Sequence, residues 1–259
     1  MSVVRMTVPA AGLTTQTTAE LGRRLPRWSS ALVVVAHPDD ESFGLGGVVA
    51  SMTSAGADVH VLCFTHGEAS TLNETGAELR RAREAELREA GAELGVRSVT
   101  LLDYPDGGLS EVDPAELAGR VREIAALVGA EGLLVFDESG ITGHSDHQAA
   151  TAAALRVPGL PVLAWALTEP IARRLRAETG QPFAGRWGWE LDLVICADRV
   201  SQRAAALRHA TQVSPGAVLW RRLEMQGNEE YLRWLRIAAV PESGTSAAAG
   251  PDRLGAGRP

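Results

Sequence analysis

The chain has 259 residues, of which 45% are hydrophobic and 22% charged, so it can bury one sizeable core and is expected to form a single domain. Its formal net charge is −7 at pH 7, with acidic residues spread along the chain, which excludes a basic face for nucleic acid or anionic lipid. All 25 basic residues are arginine, which excludes a catalytic lysine.

The cysteines and the N-terminus predict the compartment. Cys63 and Cys196 each lie in an apolar run, far apart in sequence, a context typical of buried thiols in a reducing environment. The N-terminus lacks the apolar segment of a signal peptide, and no later stretch reaches the ~20 apolar residues of a membrane span. We expect a soluble cytoplasmic protein without membrane or nucleic-acid partners, and the sequence leaves a homo-oligomer open.

Strand and helix patterns alternate after an N-terminal arm, residues 1–30, that shows no periodicity. The run 31–36 is apolar and rich in β-branched residues, which is typical of a strand buried on both faces of a parallel sheet. Asp113 and Pro114 suit the N-cap and first turn of a helix. The elements predicted in this half are strands at 31–36, 59–64, 98–102 and 132–136, and helices at 44–55, 74–94 and 114–128.

Beyond residue 146 the order of elements is less regular. The patterns predict a helix to about residue 156, strands near 161–167 and 191–195, and helices near 198–209 and 228–237. Residues 241–259 are rich in Gly, Ser, Ala and Pro and are predicted to form a disordered tail. The alternation predicts an α/β fold: a Rossmann-like, doubly wound, mainly parallel sheet with helices on both faces, in one domain at 31–240.

Residues that can carry chemistry are concentrated where the first predicted strand ends, in the segment 36–41 (AHPDDE). One imidazole and three carboxylates converge there, from His37, Asp39, Asp40 and Glu41. Carboxylates this close together repel one another unless a cation neutralises them, and histidine and aspartate are natural zinc ligands. The segment therefore predicts a metal site.

A second cluster, 140–147 (GITGHSDH), follows the predicted strand that ends at Phe136. In a parallel sheet both clusters lie at the carboxyl ends of strands, so they can meet. Together they can supply two histidines and one aspartate, and the open coordination position of such a site holds a water that the metal acidifies. Hydrolysis of an amide also needs a base and a proton donor, which Asp39 and His144 can provide.

The AHPDDE and GHSDH segments resemble the LmbE-like, or PIG-L, family of zinc N-deacetylases, which includes the mycothiol and bacillithiol pathway enzymes. Residues 65–68 (THGE) resemble the family's T-x-G-E turn, and residues 209–212 (HATQ) resemble its H-x-[ST]-Q segment. The resemblance runs in order over roughly residues 31–236. It implies removal of an N-acetyl group from a small, GlcNAc-like amino-sugar conjugate, with Zn²⁺ as cofactor; Fe²⁺ also accepts such ligands.

The resemblance also implies residue roles. Asp39 would be the general base, His144 would stabilise the oxyanion or protonate the leaving amine, and Asp146 would orient His144 through a carboxylate–imidazole contact. Independently of the resemblance, Arg80, Arg81 and Arg83 are interpreted as a solvated helix face, from which one of them could reach an anionic group of the substrate. The implied metal ligands are His37, Asp40 and His147. The candidate substrate residues are Glu41, His66, Glu68 and Arg80.

Two departures from the family pattern leave the substrate open. Ser145 stands where the family more often has proline, and Ile141 and Thr142 occupy the loop where mycothiol-type deacetylases carry a tyrosine. An N-deacylase for a longer acyl chain or a natural product such as a glycopeptide is therefore the alternative, and a long apolar pocket beside the metal would favour it. A Rossmann-like binding protein would not require Asp39 and His144, and phosphoester hydrolysis would prefer more carboxylates and a second metal.

Overall fold

The computed structural model describes residues 21–70 and 77–237, which form seven strands and nine α-helices. The strands are β1 Ser30–Val35, β2 Asp58–Thr65, β3 Ser98–Tyr104, β4 Gly132–Phe136, β5 Val162–Ala166, β6 Leu193–Cys196 and β7 Glu229–Arg236. The helices are α1 Asp40–Phe43, α2 Gly46–Ser54, α3 Ala77–Glu93, α4 Pro114–Leu127, α5 Gly140–Gly143, α6 Ser145–Leu155, α7 Glu169–Thr179, α8 Arg199–Arg208 and α9 Val218–Gln226.

The strands form one sheet in the order β3-β2-β1-β4-β5-β7-β6. The first five of these strands are parallel, whereas β7 runs antiparallel to both β5 and β6. Chain order and spatial order diverge at β1, which has β2 on one side and β4 on the other. This switch point places a crevice at the carboxyl ends of β1 and β4.

Alternate residues of β1 pack on opposite faces of the sheet, as the period of two in a strand requires. Val33 and Val35 join a core cluster that includes Leu87 of α3. Leu32 and Val34 join a second cluster with helices α4 and α6. All four β1 side chains are at most 1% exposed. The doubly wound, mainly parallel sheet with helices on both faces is therefore confirmed.

The predicted helix at 228–237 is wrong, because this segment forms strand β7. Leu163 of β5 pairs with Trp234, and Ala164 pairs with Arg233, so β7 satisfies the backbone groups along an open edge of β5. Leu232 is fully buried. Four helices that no sequence pattern indicated are the short α1 and α5 and the longer α7 and α9, which precede β6 and β7.

Part of the predicted N-terminal arm contacts the sheet. Within the described residues 21–30, Gly22 forms a parallel bridge with Leu193, and the Trp28 ring lies edge-on to Trp234 at 5.9 Å. The rest of the arm and the predicted tail at 241–259 lie outside the described residues. Cys63 is buried as expected, whereas Cys196 is exposed. None of the helices in the described ranges is long and apolar enough to cross a membrane.

Candidate metal centre and catalytic site

The two chemistry-bearing segments meet at the carboxyl ends of β1 and β4. The parallel pairing of Val33 with Leu134 brings these strand ends side by side. From β1 the chain turns directly into α1, which starts at Asp40. From β4 it passes through the short α5 into α6, which carries His147 in its first turn. Residues about a hundred positions apart thereby share one crevice.

Three side chains in this crevice offer ligand atoms within 4.8 Å of one another: His37, Asp40 and His147. His37 Nδ1 lies 3.2 Å from His147 Nε2, and His147 Nε2 lies 3.1 Å from Asp40 Oδ1. Two imidazoles and one carboxylate at this spacing are a donor set that zinc accepts while a further position stays open. The three residues that the sequence analysis named as ligands are brought together.

The backbone holds two of these side chains in orientations suited to a metal. Asp40 Oδ2 accepts hydrogen bonds from the amides of Ala36 at 3.2 Å and His37 at 2.9 Å. His147 Nδ1 lies 3.1 Å from the carbonyl of Gly140. With its proton on Nδ1, the ring donates to that carbonyl and leaves the Nε2 lone pair for a metal.

The charges around His37 favour a cation at this point. Its Nε2 lies 3.0 Å from Asp106 and 3.3 Å from Asp146. Burial lowers the pKa of His37, but these two carboxylates and Asp40 outweigh it and raise the pKa to about 10. Burial also raises the pKa of Asp40, but His147 and His37 hold it below its usual range. A metal would supply positive charge in place of a proton, so the residues present fit one.

Asp39 lies beside the candidate ligands but is not one of them. Its backbone φ of 123° is positive, a strained conformation for a residue other than glycine. Its Oδ2 accepts a hydrogen bond of 2.9 Å from the buried Arg83. Burial raises the pKa of Asp39 to about 6, and Arg83 opposes that rise. The carboxylate is therefore held at the site by an arginine that the sequence analysis had placed on a solvated helix face.

The carboxylate of Asp146 contacts His37 Nε2 at 3.3 Å, and it also lies within 4.8 Å of a ring nitrogen of His144, whose orientation the resemblance assigns to it. It also accepts the amides of Gly107 at 2.7 Å and Leu109 at 3.1 Å. These two amides turn the carboxylate toward His37, so it can fix the orientation of a candidate ligand. His144 is oriented by the backbone instead, because its Nδ1 accepts the Asp146 amide at 3.2 Å.

His144 is exposed and stacks on His147, with ring centroids 4.7 Å apart. Partial burial and the neighbouring rings of His147 and His37 lower its pKa below the usual value. Since Nδ1 is occupied as an acceptor, the neutral ring carries its proton on Nε2. It can therefore donate a hydrogen bond from Nε2.

A polar cavity of about 540 Å³ opens at these residues and is lined by His37, Asp39, Asp40, Ala69, Ser70, Arg83, Asp106, Gly107, His144, His147, Gln181 and Gln212. Asp106 and Arg83 belong to the site but were missed as site residues in the sequence. Asp106 follows β3, a third parallel strand, so its position at the carboxyl edge was a usable signal. Arg83 is spaced four residues from Leu79 and Leu87, on the buried face of α3.

The four candidate substrate residues do not line this cavity. Glu41 is fully buried and is bonded to His209 Nε2 at 2.8 Å, so it is not positioned to touch a substrate. Its other oxygen accepts the Asp39 amide at 3.0 Å, which makes it a support for that residue. The other three form a neighbouring cluster with Asp103: His66 and Arg80 contact its carboxylate at 3.0 and 2.8 Å, and Arg80 lies 3.7 Å from Glu68.

Together, the fold and the site define a Rossmann-like α/β protein with a candidate metal centre of the open, catalytic type. Residues 32–157 match the family described as "PIG-L: GlcNAc-PI de-N-acetylase". The chain is 32% identical over 269 residues to a 1D-myo-inositol 2-acetamido-2-deoxy-alpha-D-glucopyranoside deacetylase of Nakamurella multipartita, covering 81% of this chain and 90% of that protein. The chain belongs to the PIG-L family.

Solved structures share the fold. An N,N'-diacetylchitobiose deacetylase from Pyrococcus horikoshii superposes with a TM-score of 0.61 at 19% identity, over 81% of this chain and 84% of that one. The 4-carboxy-2-hydroxymuconate hydratase of Pseudomonas putida superposes with a TM-score of 0.62 at 21% identity, over 82% and 98%. Because one of these proteins is named a deacetylase and the other a hydratase, the shared fold does not identify the reaction. The reaction depends on the residues of the site.

Proposed function

We propose that this protein is a metal-dependent amide hydrolase that removes the N-acetyl group from a GlcNAc-like amino-sugar conjugate. The observation that carries this proposal is one cavity that contains a two-histidine, one-aspartate ligand set together with two protic groups that are not ligands, Asp39 and His144. A structural metal would not require those two groups. The relative from Nakamurella, named a deacetylase of a 2-acetamido sugar, supports the same reaction.

Zinc is the metal we assign to His37, Asp40 and His147, because a site of two imidazoles and one carboxylate suits it; Fe²⁺ accepts the same donors. When bound there, the ion would polarise the acyl carbonyl and acidify a water molecule. Asp146, seated against His37, would fix the orientation of that ring.

The chain's own residues would move the protons. In the overall reaction the water oxygen bonds to the acyl carbon, the C–N bond breaks, and the amine leaves with an added proton. Asp39, held by Arg83, would take a proton from the water. His144 would donate from Nε2 to the developing oxyanion or to the leaving nitrogen. Both tyrosines of the chain lie outside the cavity lining, so we assign stabilisation of the oxyanion to His144 and not to a phenol.

The polar cavity suits a sugar on the amine side of the bond. Asp106, Gln181 and Gln212 bring polar side chains to its lining from three separate segments of the chain. Such convergent polar groups can orient hydroxyl groups. The group attached to the sugar is not assigned. An inositol group, as in the substrate named for the Nakamurella relative, is the first one to test.

The test combines metal content, measured by mass spectrometry, with acetate release from N-acetylglucosamine and from its inositol conjugate. Asp39→Asn should retain near-stoichiometric metal and lose turnover by about 10²–10⁴-fold. His147→Ala should lose the bound metal and, as a consequence, its turnover. His60→Gln is the matched control, since His60 contacts Ser98 near the opposite end of β2 and lies outside the cavity lining.

The outcomes separate the competing functions. Zinc with acetate release supports the proposal, and iron in its place would reassign the metal while keeping the reaction. If the protein takes up no metal even after reconstitution, the hydrolase proposal fails and a Rossmann-like binding protein takes its place. Full activity of both Asp39→Asn and His147→Ala would contradict the assigned roles.

A further inference from the structure

A second pocket, different in character, opens on the other side of the candidate ligands. Its volume is about 170 Å³, and it is lined mainly by apolar side chains from β4, β5, α1, α9 and the loops beside them. The residues that give it this character are Phe43, Phe136, Trp165, Leu167, Phe183 and Leu219. We refer to it as the apolar pocket.

The apolar pocket and the polar cavity meet at the candidate metal. Asp40 and His147 line both spaces. The Phe136 ring lies edge-on to His147, with centroids 4.9 Å apart, so apolar surface begins directly beside a ligand. Asp39 and His144 line only the polar cavity. A group bound at the metal would therefore have protic residues on one side and apolar surface on the other.

The one cationic residue in the lining, Arg222, does not make this pocket a site for an anion. Its guanidinium donates to the carbonyl of Phe43 and, at 2.9 Å, to the side chain of Gln226. It also lies over the Trp165 ring at 5.0 Å and 3.7 Å from the buried Glu230. Glu230 is shared with Arg199, so it offsets the charge of Arg222 only in part. Because the guanidinium is buried and donates its hydrogen bonds within the protein, the other lining side chains decide the occupant, and they favour an apolar one.

We propose that this pocket holds the tail of the substrate's acyl group, and that the enzyme, besides removing acetyl, hydrolyses N-acyl groups with a tail of about six carbons more efficiently. An apolar cavity of roughly 150 Å³ takes up a benzene molecule, so 170 Å³ suits a six-carbon tail. The methyl of an acetyl group would leave most of that surface in contact with water. This inference rests on the proposed amide hydrolysis and assigns its acyl side.

The loop that departs from the family pattern lies in the pocket's lining. Ile141 and Thr142, in the segment that follows β4, both line the apolar pocket. Ile141 is held at a φ of 65°, which is strained for a β-branched residue. This segment therefore presents aliphatic surface next to the candidate ligands Asp40 and His147.

The test uses glucosamine carrying acetyl, butanoyl, heptanoyl or decanoyl groups on nitrogen, with the zinc-loaded protein. We expect kcat/KM to rise about fourfold per added methylene, equivalent to ~0.8 kcal/mol per buried CH₂, and to level off beyond heptanoyl. A second readout, independent of turnover, is the Kd of acetate, butanoate and heptanoate by titration calorimetry, with the same expected trend.

The two readouts distinguish failure of this inference from failure of the proposed function. Hydrolysis of every substrate, with no gain from acetyl to heptanoyl and equal affinity for the carboxylates, overturns the acyl pocket and leaves the amide hydrolase standing. Tighter binding of heptanoate without hydrolysis of any N-acyl glucosamine overturns the proposed function and supports the apolar pocket.

A pair of variants locates the effect. Val218→Phe places a ring in the pocket lining at the start of α9 and should lower the ratio of heptanoyl to acetyl hydrolysis at least tenfold. Val200→Phe makes the same change in the first turn of α8, at a side chain that is 73% exposed, and should leave the ratio unchanged. The ratio is internal to each preparation, so partial unfolding cancels. An unchanged ratio in Val218→Phe would contradict the assignment.

Discussion

Arg83→Gln should destabilise the protein far more than an average helix substitution. Arg83 is only 3% exposed and is surrounded by acceptors from the site. It forms an ion pair of 2.9 Å with Asp39, donates at 2.7 Å to the carbonyl of Gly67, and also donates to the carbonyl of Pro38. Glutamine would remove the charge that compensates Asp39 and most of the donors.

The expected loss follows from the burial of this pair. Removing one partner of a buried ion pair costs about 3–5 kcal/mol, because the remaining charge is left uncompensated. The side chain of Asp39 is 18% exposed, so we expect about 3 kcal/mol. At about 2–4 °C per kcal/mol for a domain of this size, Tm should fall by roughly 6–12 °C. Urea denaturation gives the free energy of unfolding.

A double variant separates the charge from the packing. In Asp39→Asn/Arg83→Gln neither charge of this pair remains, so the loss should be at least ~1 kcal/mol smaller than in Arg83→Gln alone. Arg81→Gln, on the exposed face of the same helix, is the control and should change stability by less than about 0.5 kcal/mol. The inferred ion pair does not stabilise the site if Arg83→Gln loses no more stability than this control. The same conclusion follows if the loss in the double variant equals the sum of the losses in Asp39→Asn and Arg83→Gln.

Two further predictions concern packing, and both are measured by urea denaturation. A Cβ at Gly44 would overlap the ring of Phe136, so Gly44→Ala should cost about 1–3 kcal/mol. Gly119, inside α4, has open space around its missing Cβ, so Gly119→Ala should instead stabilise by about 0.5–1 kcal/mol; equal effects would refute this contrast. Trp28→Ala should cost about 1–3 kcal/mol, because the half-buried ring packs on Gly132 and lies edge-on to Trp234; a loss below about 0.5 kcal/mol would show that residues 21–30 do not stabilise the sheet.

The sequence identifies the parallel part of the sheet because four of its five strands, β1, β2, β4 and β5, are buried on both faces. Runs such as 31–36 are apolar without interruption, and this pattern does not depend on which neighbour the strand acquires. Strand β7 is different, since it is amphipathic and lies against an open edge. Charged and aromatic side chains are interspersed from Glu229 to Arg236. This pattern does not distinguish a strand from a helix, and the segment forms a strand because it pairs with the edge of β5.

The same distinction explains what could be predicted of the site. His37, Asp40 and His147 lie in short segments at strand ends, so local pattern and a parallel sheet are enough to bring them together. Arg83 and Asp106 come from other segments, and their roles depend on contacts with Asp39 and His37 that no local pattern encodes. The spacing of Arg83 with Leu79 and Leu87 indicates a buried side chain, but it does not identify Asp39 as its partner.

Backbone strain independently supports a site with a polar cavity on one side and an apolar pocket on the other. Among the described residues, two that are not glycine have a positive φ, Asp39 at 123° and Ile141 at 65°, and each such conformation costs about 1–3 kcal/mol. Glycine would relieve the strain at either position but would remove the side chain. The fold holds a carboxylate beside the polar cavity at one position and an aliphatic group in the apolar pocket at the other. Because a hydratase shares the fold, the fold alone does not define the reaction. Asp39 and Ile141 distinguish the two sides of this site, one protic and one apolar.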